Sequence, residues 1–182
     1  MRNNNVQVLT RTGMLLALAL VFQNLRLVIG AGPYTQFIIG SLVNAVLVVA
    51  VGTVNVYSAL IISIIAPVVA YMQAQLPLPV LVPIVAIGNA LIVIVFHVLQ
   101  EKNRYVGILA GAVVKSGFLY FAVKIMLNMV KGTIPEPKFA KLANLLSFTF
   151  SWPQFITALI GGFIAVIILG TLSSVLRKEH SE

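Results

Sequence analysis

Six long stretches of the sequence are almost entirely apolar, and short polar segments separate them. Leu, Ile, Val, Ala and Gly dominate each stretch, and none contains Asp or Glu. A helix needs about 20 apolar residues to cross a bilayer, and open strands cannot satisfy their backbone groups in lipid. The pattern therefore predicts six transmembrane helices, over residues 13–29, 37–51, 54–71, 79–100, 105–129 and 153–175.

The connection between the fifth and sixth stretches has a pattern of its own. Gly and Pro residues end the fifth predicted helix, and four apolar residues then recur at helical spacing: Phe139, Leu142, Leu145 and Leu146. Lys141 and Asn144 lie off this stripe. The segment is typical of a short amphipathic helix on the outer membrane surface, either a plain interfacial segment or a lid over a site.

The composition supports this interpretation of the pattern. Of the 182 residues, 60% are hydrophobic and 9% are charged, whereas soluble domains carry about 25% charged residues. This excludes a soluble protein. We expect one all-α domain over residues 1–182 that crosses the cell membrane six times.

The distribution of basic residues predicts the orientation. With both termini in the cytoplasm, the inner side carries Arg2, Arg11, Lys102, Arg104, Arg177 and Lys178, and the outer side carries Arg26, Lys131, Lys138 and Lys141. This bias follows the positive-inside rule. The net charge of +8 is then topogenic, and it attracts anionic lipid. Without a basic patch interleaved with aromatics, nucleic acid is not an expected partner.

Most chemistry that would need a catalytic or metal site is absent from the sequence. There is no cysteine, and there are only two histidines and four acids, so neither a metal centre nor a cofactor site is expected. No phosphate-binding loop of the G-x-x-x-x-G-K-[ST] type occurs, and no acid lies within a span for proton coupling. The chain is not expected to be an enzyme, and any energy source for transport would lie on another chain.

Polar residues within the apolar stretches are the candidates for a binding site. In the fifth, Tyr120, Lys124 and Asn128 repeat every four residues and form one donor-rich stripe. This stripe either contacts a ligand or only packs, with Lys124 reaching the outer interface by snorkelling. Lys115 lies about 15 Å into the same helix and must find a partner or a wet cavity.

Further candidates lie near the outer membrane interface or within the fourth stretch: Tyr34, Gln36, Asn89, Trp152 and Gln154. The alternatives are that the amides, like Asn44, only bond a neighbouring helix and that Trp152 belongs to the aromatic belt. Together with the stripe, this lining suits a small, partly aromatic, neutral or weakly anionic molecule. On the first helix, Gly13 and Ala17 form a small-xxx-small pair that permits close helix approach.

The chain resembles the substrate-binding S components of energy-coupling factor (ECF) transporters. The resemblance extends over nearly the whole chain and rests on its length, its six spans and five phrases: GSLVNA at 40–45, PIVAIGN at 83–89, VK at 114–115, WPQ at 152–154 and TALIGG at 157–162. It implies capture of a vitamin or precursor at the outer face, and docking onto a membrane coupling subunit served by two cytosolic ATPases.

The resemblance also assigns roles to particular residues. The docking motif of such proteins corresponds here to Gly13 and Ala17, and Lys115 corresponds to a structural lysine rather than a ligand contact. The N-terminal histidines of nickel and cobalt members are missing, which argues against a metal cargo. Two other functions stay open: an autonomous channel or secondary carrier, and a membrane scaffold or enzyme subunit without a ligand pocket.

Overall fold

Helices account for nearly all of the structure. A computed structural model describes residues 2–30 and 32–179, and these residues form seven helices. They are α1 (Arg2–Ile29), α2 (Pro33–Thr53), α3 (Val56–Met72), α4 (Leu81–Leu99), α5 (Arg104–Val130), α6 (Glu136–Thr149) and α7 (Trp152–Glu179). The prediction of an all-α chain is confirmed.

Several of these helices are suited to a bilayer. Among the described residues, five helical stretches are long and apolar enough to cross a membrane: Asn4–Ile29, Tyr34–Thr53, Leu81–Leu99, Arg104–Val130 and Glu136–Leu172. The last stretch includes α6 and the part of α7 up to Leu172. The apolar helix α3 is shorter, at 17 residues. This composition is compatible with a multi-pass membrane protein.

The long helices form a bundle with two distinct ends. At one, which we name the Arg104 end, Arg11, Thr53, Arg104 and Leu172 line one groove, and Thr12 of α1 donates a hydrogen bond to Ser58 of α3 (2.7 Å). The opposite end, which we name the Arg26 end, brings together the C-terminus of α1 and the N-termini of α2 and α7. Successive long helices therefore run in opposite directions.

Small residues allow α2, α5 and α7 to pack closely. A Cβ atom on Gly161 of α7 would collide with the Ser41 carbonyl oxygen of α2, and one on Gly162 would collide with Ile108 of α5. The main apolar core lies around these contacts and includes the fully buried Leu47, Ile92 and Phe96. It fixes the relative positions of the helices that carry the candidate site.

The predicted amphipathic helix exists as α6, and its four apolar residues differ in burial. Leu146 is buried among Leu81, Leu119 and Val123, while Phe139 and Leu142 are half-buried against the same cluster. Leu145 is 58% exposed. On a helix, Leu145 and Leu146 are about 100° apart, and only Leu146 turns fully towards the bundle.

The helix boundaries also differ from those predicted. The helix α1 begins at Arg2 rather than near residue 13, because its polar first turns continue the helix beyond the apolar stretch. The helix α2 continues to Thr53, so the tight connection to α3 lies at Val54 and Asn55. The Asn55 side chain caps α3 by accepting a hydrogen bond from the Ser58 amide (2.8 Å).

Candidate functional site

A small polar chamber lies inside the bundle. Its volume is about 110 Å³, and helices α1 to α5, α7 and the α3–α4 loop all contribute to its wall. Seven of the lining residues are polar: Gln23, Gln36, Asn44, Gln75, Asn89, Lys115 and Gln154. The remaining wall is mostly apolar, including Ile39, Val43, Pro67, Val85 and Phe150. An apolar cavity with a few converging polar groups is the usual form of a small-molecule site.

Lys115 is the central polar group of the chamber. Its Nζ atom donates hydrogen bonds to Asn44 Oδ1 (2.5 Å) and to Asn89 Oδ1 (2.7 Å). All three side chains are at most 5% exposed. The prediction that Lys115 must find a partner is thus confirmed, and its partners are two amides from α2 and α4. An ammonium can donate three hydrogen bonds, and these bonds use two of them.

The sequence brings these three residues to the same depth. The helices α2 and α4 end at the Arg104 end, while α5 begins there. The depth of a residue is therefore its distance from the last residue of α2 or α4, or from the first residue of α5. Asn44, Asn89 and Lys115 each lie about ten residues, or about 15 Å, from that end. Because α4 packs against both α2 and α5, three polar residues at one depth on these helices can converge.

Gln23 of α1 adds an unpaired acceptor. Its Nε2 donates to the Ala66 carbonyl of α3 (3.2 Å), and since a carbonyl can only accept, this bond fixes the orientation of the amide. The Oε1 atom is buried and has no hydrogen-bond partner in the described part of the chain. A buried polar atom without a partner costs about 1–3 kcal/mol, so a ligand donor there would be favourable.

The chamber adjoins a larger space at the Arg26 end, which we name the vestibule. The vestibule has a volume of about 290 Å³ and is lined by Arg26, Phe37, Pro153 and residues of α6. Gln36, Gln75, Leu76 and Phe150 line both compartments. These four residues form the boundary between them, and we name them the constriction.

The α3–α4 loop is held against α1, and this places half of the constriction. Gln75 Nε2 donates to the Gln23 carbonyl (3.1 Å) and to Gln73 Oε1 (2.7 Å), and Gln73 in turn donates to Asn24 (3.3 Å). Between Gln73 and Gln75, Ala74 has a left-handed backbone conformation (φ 55°). The backbone N–H of Gln75 donates a hydrogen bond to the Ala70 carbonyl. This turn ends α3 and positions Gln75 and Leu76 at the chamber.

Comparisons with known proteins found no match. Neither a family model, nor a curated protein, nor a solved structure matches the chain. The function must therefore be argued from the geometry of the site itself.

Three of the residues predicted for a binding site lie together at the chamber. Asn89 is in its centre beside Lys115, Gln154 lines its α7 wall, and Gln36 lies at the constriction. Gln154 Nε2 bonds the Thr149 carbonyl (3.2 Å), which ties the start of α7 to the end of α6. These residues come from three different helices, so the structure unites part of the predicted set.

The predicted stripe on α5 lies elsewhere. Lys124 is exposed, and its Nζ lies 4.9 Å from the ring centroid of Tyr120. Both residues line a separate cleft of about 10 Å³ beside Leu146 and Phe150. Asn128, one turn further along, is also exposed. The structure brings Tyr120 and Lys124 together, but it does not bring the stripe to the chamber.

The two predicted aromatic residues lie outside the chamber as well. Tyr34 is 84% exposed. Trp152 is more than half exposed and packs against Phe37 and Phe148, with ring centroids 5.6 and 5.8 Å away. Because Phe37 and Phe148 line the vestibule, Trp152 supports the vestibule wall from behind.

Sequence reasoning did not assign Gln23, Asn44 or Lys115 to the site. Gln23 continues an apolar run and was not singled out, and Asn44 was expected only to bond a neighbouring helix. The signal that could have found Asn44 and Lys115 is the shared depth with Asn89. Gln75 lies in the loop before α4, and its exact position at the chamber depends on the loop geometry.

The predicted docking pair lies on the exposed surface of α1. Gly13 and Ala17 are both exposed on α1, and a Cβ atom on Gly13 would meet no atom within 4 Å. No described residue covers this face.

Within residues 2–30 and 32–179, no group of three or more His, Asp or Glu side chains could hold a metal ion.

Proposed function

We propose that the chain is the substrate-binding S component of an ECF-type transporter and captures a small organic micronutrient for uptake. The observation that supports this proposal most is the polar chamber around Lys115, enclosed by an apolar bundle. It is connected to one end of the bundle through the constriction and the vestibule. A protein that only binds and hands over its cargo needs such a pocket and needs no catalytic group.

In this proposal six helices, α1 to α5 and α7, cross the plasma membrane. Both termini lie in the cytoplasm, and the Arg26 end with its vestibule faces outwards. The support for this orientation is the excess of Arg and Lys assigned to the cytoplasmic side. The helix α6 then lies at the outer interface, where its residues form one wall of the vestibule.

The proposed partners are a membrane coupling subunit and two cytosolic ATPases. The chain contains neither a phosphate-binding loop nor an intramembrane carboxylate, so nucleotide hydrolysis and acid-based proton coupling are not built into it. The exposed pair Gly13 and Ala17 is the proposed docking face, because two small residues one turn apart let a second helix approach closely.

A reconstitution experiment tests the proposal. The chain is expressed in its native host, and small molecules that co-purify with it are identified by mass spectrometry. The identified compound, in radiolabelled form, is then offered to liposomes that contain only the purified chain. We expect saturable binding without accumulation, and accumulation only after the coupling subunit and ATPases are added with ATP inside.

Other outcomes would favour the other functions. Concentrative uptake by the chain alone would show an autonomous carrier. A scaffold would bind no compound from a library of vitamins and precursors. By contrast, a true ligand at 100 times its dissociation constant should raise the free energy of unfolding by about 2.7 kcal/mol.

A further inference from the structure

The orientation of two amides makes the chamber rich in hydrogen-bond donors. Because Asn44 and Asn89 both turn Oδ1 towards the Lys115 ammonium, their Nδ2 groups must point away from it. No hydrogen bond joins either Nδ2 group to another described residue, and both side chains line the chamber. The third N–H of Lys115 and the two NH₂ groups are therefore not used by described residues, and the side chains that carry them all line the chamber, where a ligand can reach them.

Among the described residues, those that line the chamber include a basic group and no acidic one. Glu101 and Glu136 are the acids whose side chains the structure describes, and neither lines the chamber or the vestibule. The vestibule adds a second basic side chain, Arg26. A buried charge without a counter-ion is costly, and hydrogen bonds between charged groups are roughly twice as strong as those between neutral ones. The chamber is thus complementary to an anion.

At the α1 wall, Gln23 favours a hydrogen-bond donor on the ligand rather than an anionic group. Its unpaired Oε1 can only accept a hydrogen bond, so it matches a hydroxyl or N–H group of the ligand. One compact molecule can satisfy both walls if it carries an anionic group and a separate donor. The chamber volume of about 110 Å³ restricts this part of the ligand to a few heavy atoms, and any larger remainder would extend through the constriction.

We propose that the chamber binds a small organic acid, with its carboxylate held by Lys115, Asn44 and Asn89 and a hydroxyl or N–H donated to Gln23 Oε1. This rests on the proposed function, and it makes Lys115 a ligand contact as well as a structural link between α2, α4 and α5. It narrows the substrate class from neutral or weakly anionic molecules to carboxylates.

The first test uses acetate and acetamide, which have the same shape and differ in charge. The full chain in lipid nanodiscs is titrated with each compound at matched ionic strength, and the unfolding temperature is followed. We expect acetate to bind about tenfold more tightly or better. Equal stabilisation by the two compounds would overturn the proposal.

Three variants test which residues cause the preference for acetate over acetamide. Lys115→Met should abolish it, and Asn89→Asp should abolish it while keeping the hydrogen bond to Lys115, because the new carboxylate supplies an internal counter-ion. If Lys115→Met does not fold, Asn89→Asp alone decides. Lys138→Met removes an exposed lysine of α6 and should retain the preference. A preference that survives Asn89→Asp, or disappears in Lys138→Met, would place the anion elsewhere and contradict the assignment.

The second test concerns Gln23. Unbranched ω-hydroxy-carboxylates of increasing length are compared with the same acids lacking the hydroxyl. We expect one chain length to gain affinity from the hydroxyl, and Gln23→Met to remove that gain; a gain at no length would overturn the role of Gln23. If vitamins from the library bind but acids are not preferred, the proposed function stands and only the carboxylate assignment fails.

Discussion

Lys115 Nζ donates a hydrogen bond to Asn89 Oδ1 across the α4–α5 interface, at 2.7 Å and in an environment where both side chains are at most 5% exposed. The same Nζ bonds Asn44 on α2. One side chain thereby links three helices in the centre of the bundle. Removal of either amide would leave the ammonium with fewer partners in a place where solvent cannot fully replace them.

We therefore expect Asn89→Leu to lower the free energy of unfolding by about 1.5–3 kcal/mol, the range for a lost hydrogen bond to a charged group. Unfolding of the chain in bicelles, followed by circular dichroism during titration with a denaturing detergent, would measure this. Asn128→Leu is the matched control, because Asn128 is exposed on α5 and should change stability by less than about 0.5 kcal/mol. Equal effects of the two substitutions would show that the Lys115–Asn89 bond is not stabilising.

Close packing of α2 against α7 gives a second prediction. Gly161→Ala places a methyl group against the Ser41 carbonyl oxygen and within 2.9 Å of the Ala45 amide nitrogen, and backbone atoms cannot move aside as a flexible side chain can. We expect a loss of about 1–3 kcal/mol in the free energy of unfolding. Gly117→Ala, at a position where a Cβ meets no atom within 4 Å, should be neutral or stabilising by up to about 1 kcal/mol. The reverse order of stability would mean that α2 and α7 do not approach as closely as described.

The constriction predicts restricted access to the chamber. Since the chain has no cysteine, a single introduced thiol can be labelled selectively. We expect a charged methanethiosulfonate reagent to modify Gln154→Cys at least about tenfold more slowly than Tyr34→Cys, because Gln154 is half-buried in the chamber wall whereas Tyr34 is 84% exposed. Adding Leu76→Ala, which trims the constriction, should accelerate labelling of Gln154→Cys and leave that of Tyr34→Cys unchanged. Similar rates at both thiols without Leu76→Ala would argue that the chamber is open.

The sequence predicted the helices well and the site only in part, and the reason differs between residues. Long apolar stretches dictate helices because lipid leaves the backbone no other way to satisfy its hydrogen bonds. The convergence of Asn44, Asn89 and Lys115 follows from helix direction and depth, which the spans already imply. The pairing of Gln75 with Gln23 depends instead on the turn at Ala74, and no periodic pattern encodes a loop conformation.

The α5 stripe illustrates the opposite case. Tyr120, Lys124 and Asn128 share one face because their spacing matches the helical period, yet the spacing does not say which neighbour that face meets. In the structure this face lines the small cleft beside α6 and is otherwise exposed, and it does not line the chamber. Whether the stripe contacts a ligand stays a prediction, and one substitution separates the two possibilities.

We expect Lys124→Ala to leave ligand affinity within about twofold of the original, which corresponds to less than about 0.5 kcal/mol, whereas Gln154→Ala should weaken binding because Gln154 lines the chamber. Equilibrium dialysis with the co-purified compound would measure both dissociation constants. A large loss with Lys124→Ala would assign the stripe to the binding site and move the ligand towards α6.

The exposed face of α1 yields the last prediction, which concerns transport rather than binding. Gly13 has open space where a Cβ would lie, and Ala17 one turn away is also exposed, so a larger residue there disturbs nothing within the chain. Gly13→Leu should therefore leave ligand affinity unchanged. It should abolish uptake by the reconstituted complex if a partner helix packs against this face, because a leucine side chain prevents the close approach that small residues permit. Gly117→Leu introduces the same side chain into open space on α5 and should transport normally. Uptake that survives Gly13→Leu, measured with the same complex and ligand, would remove α1 from the docking interface.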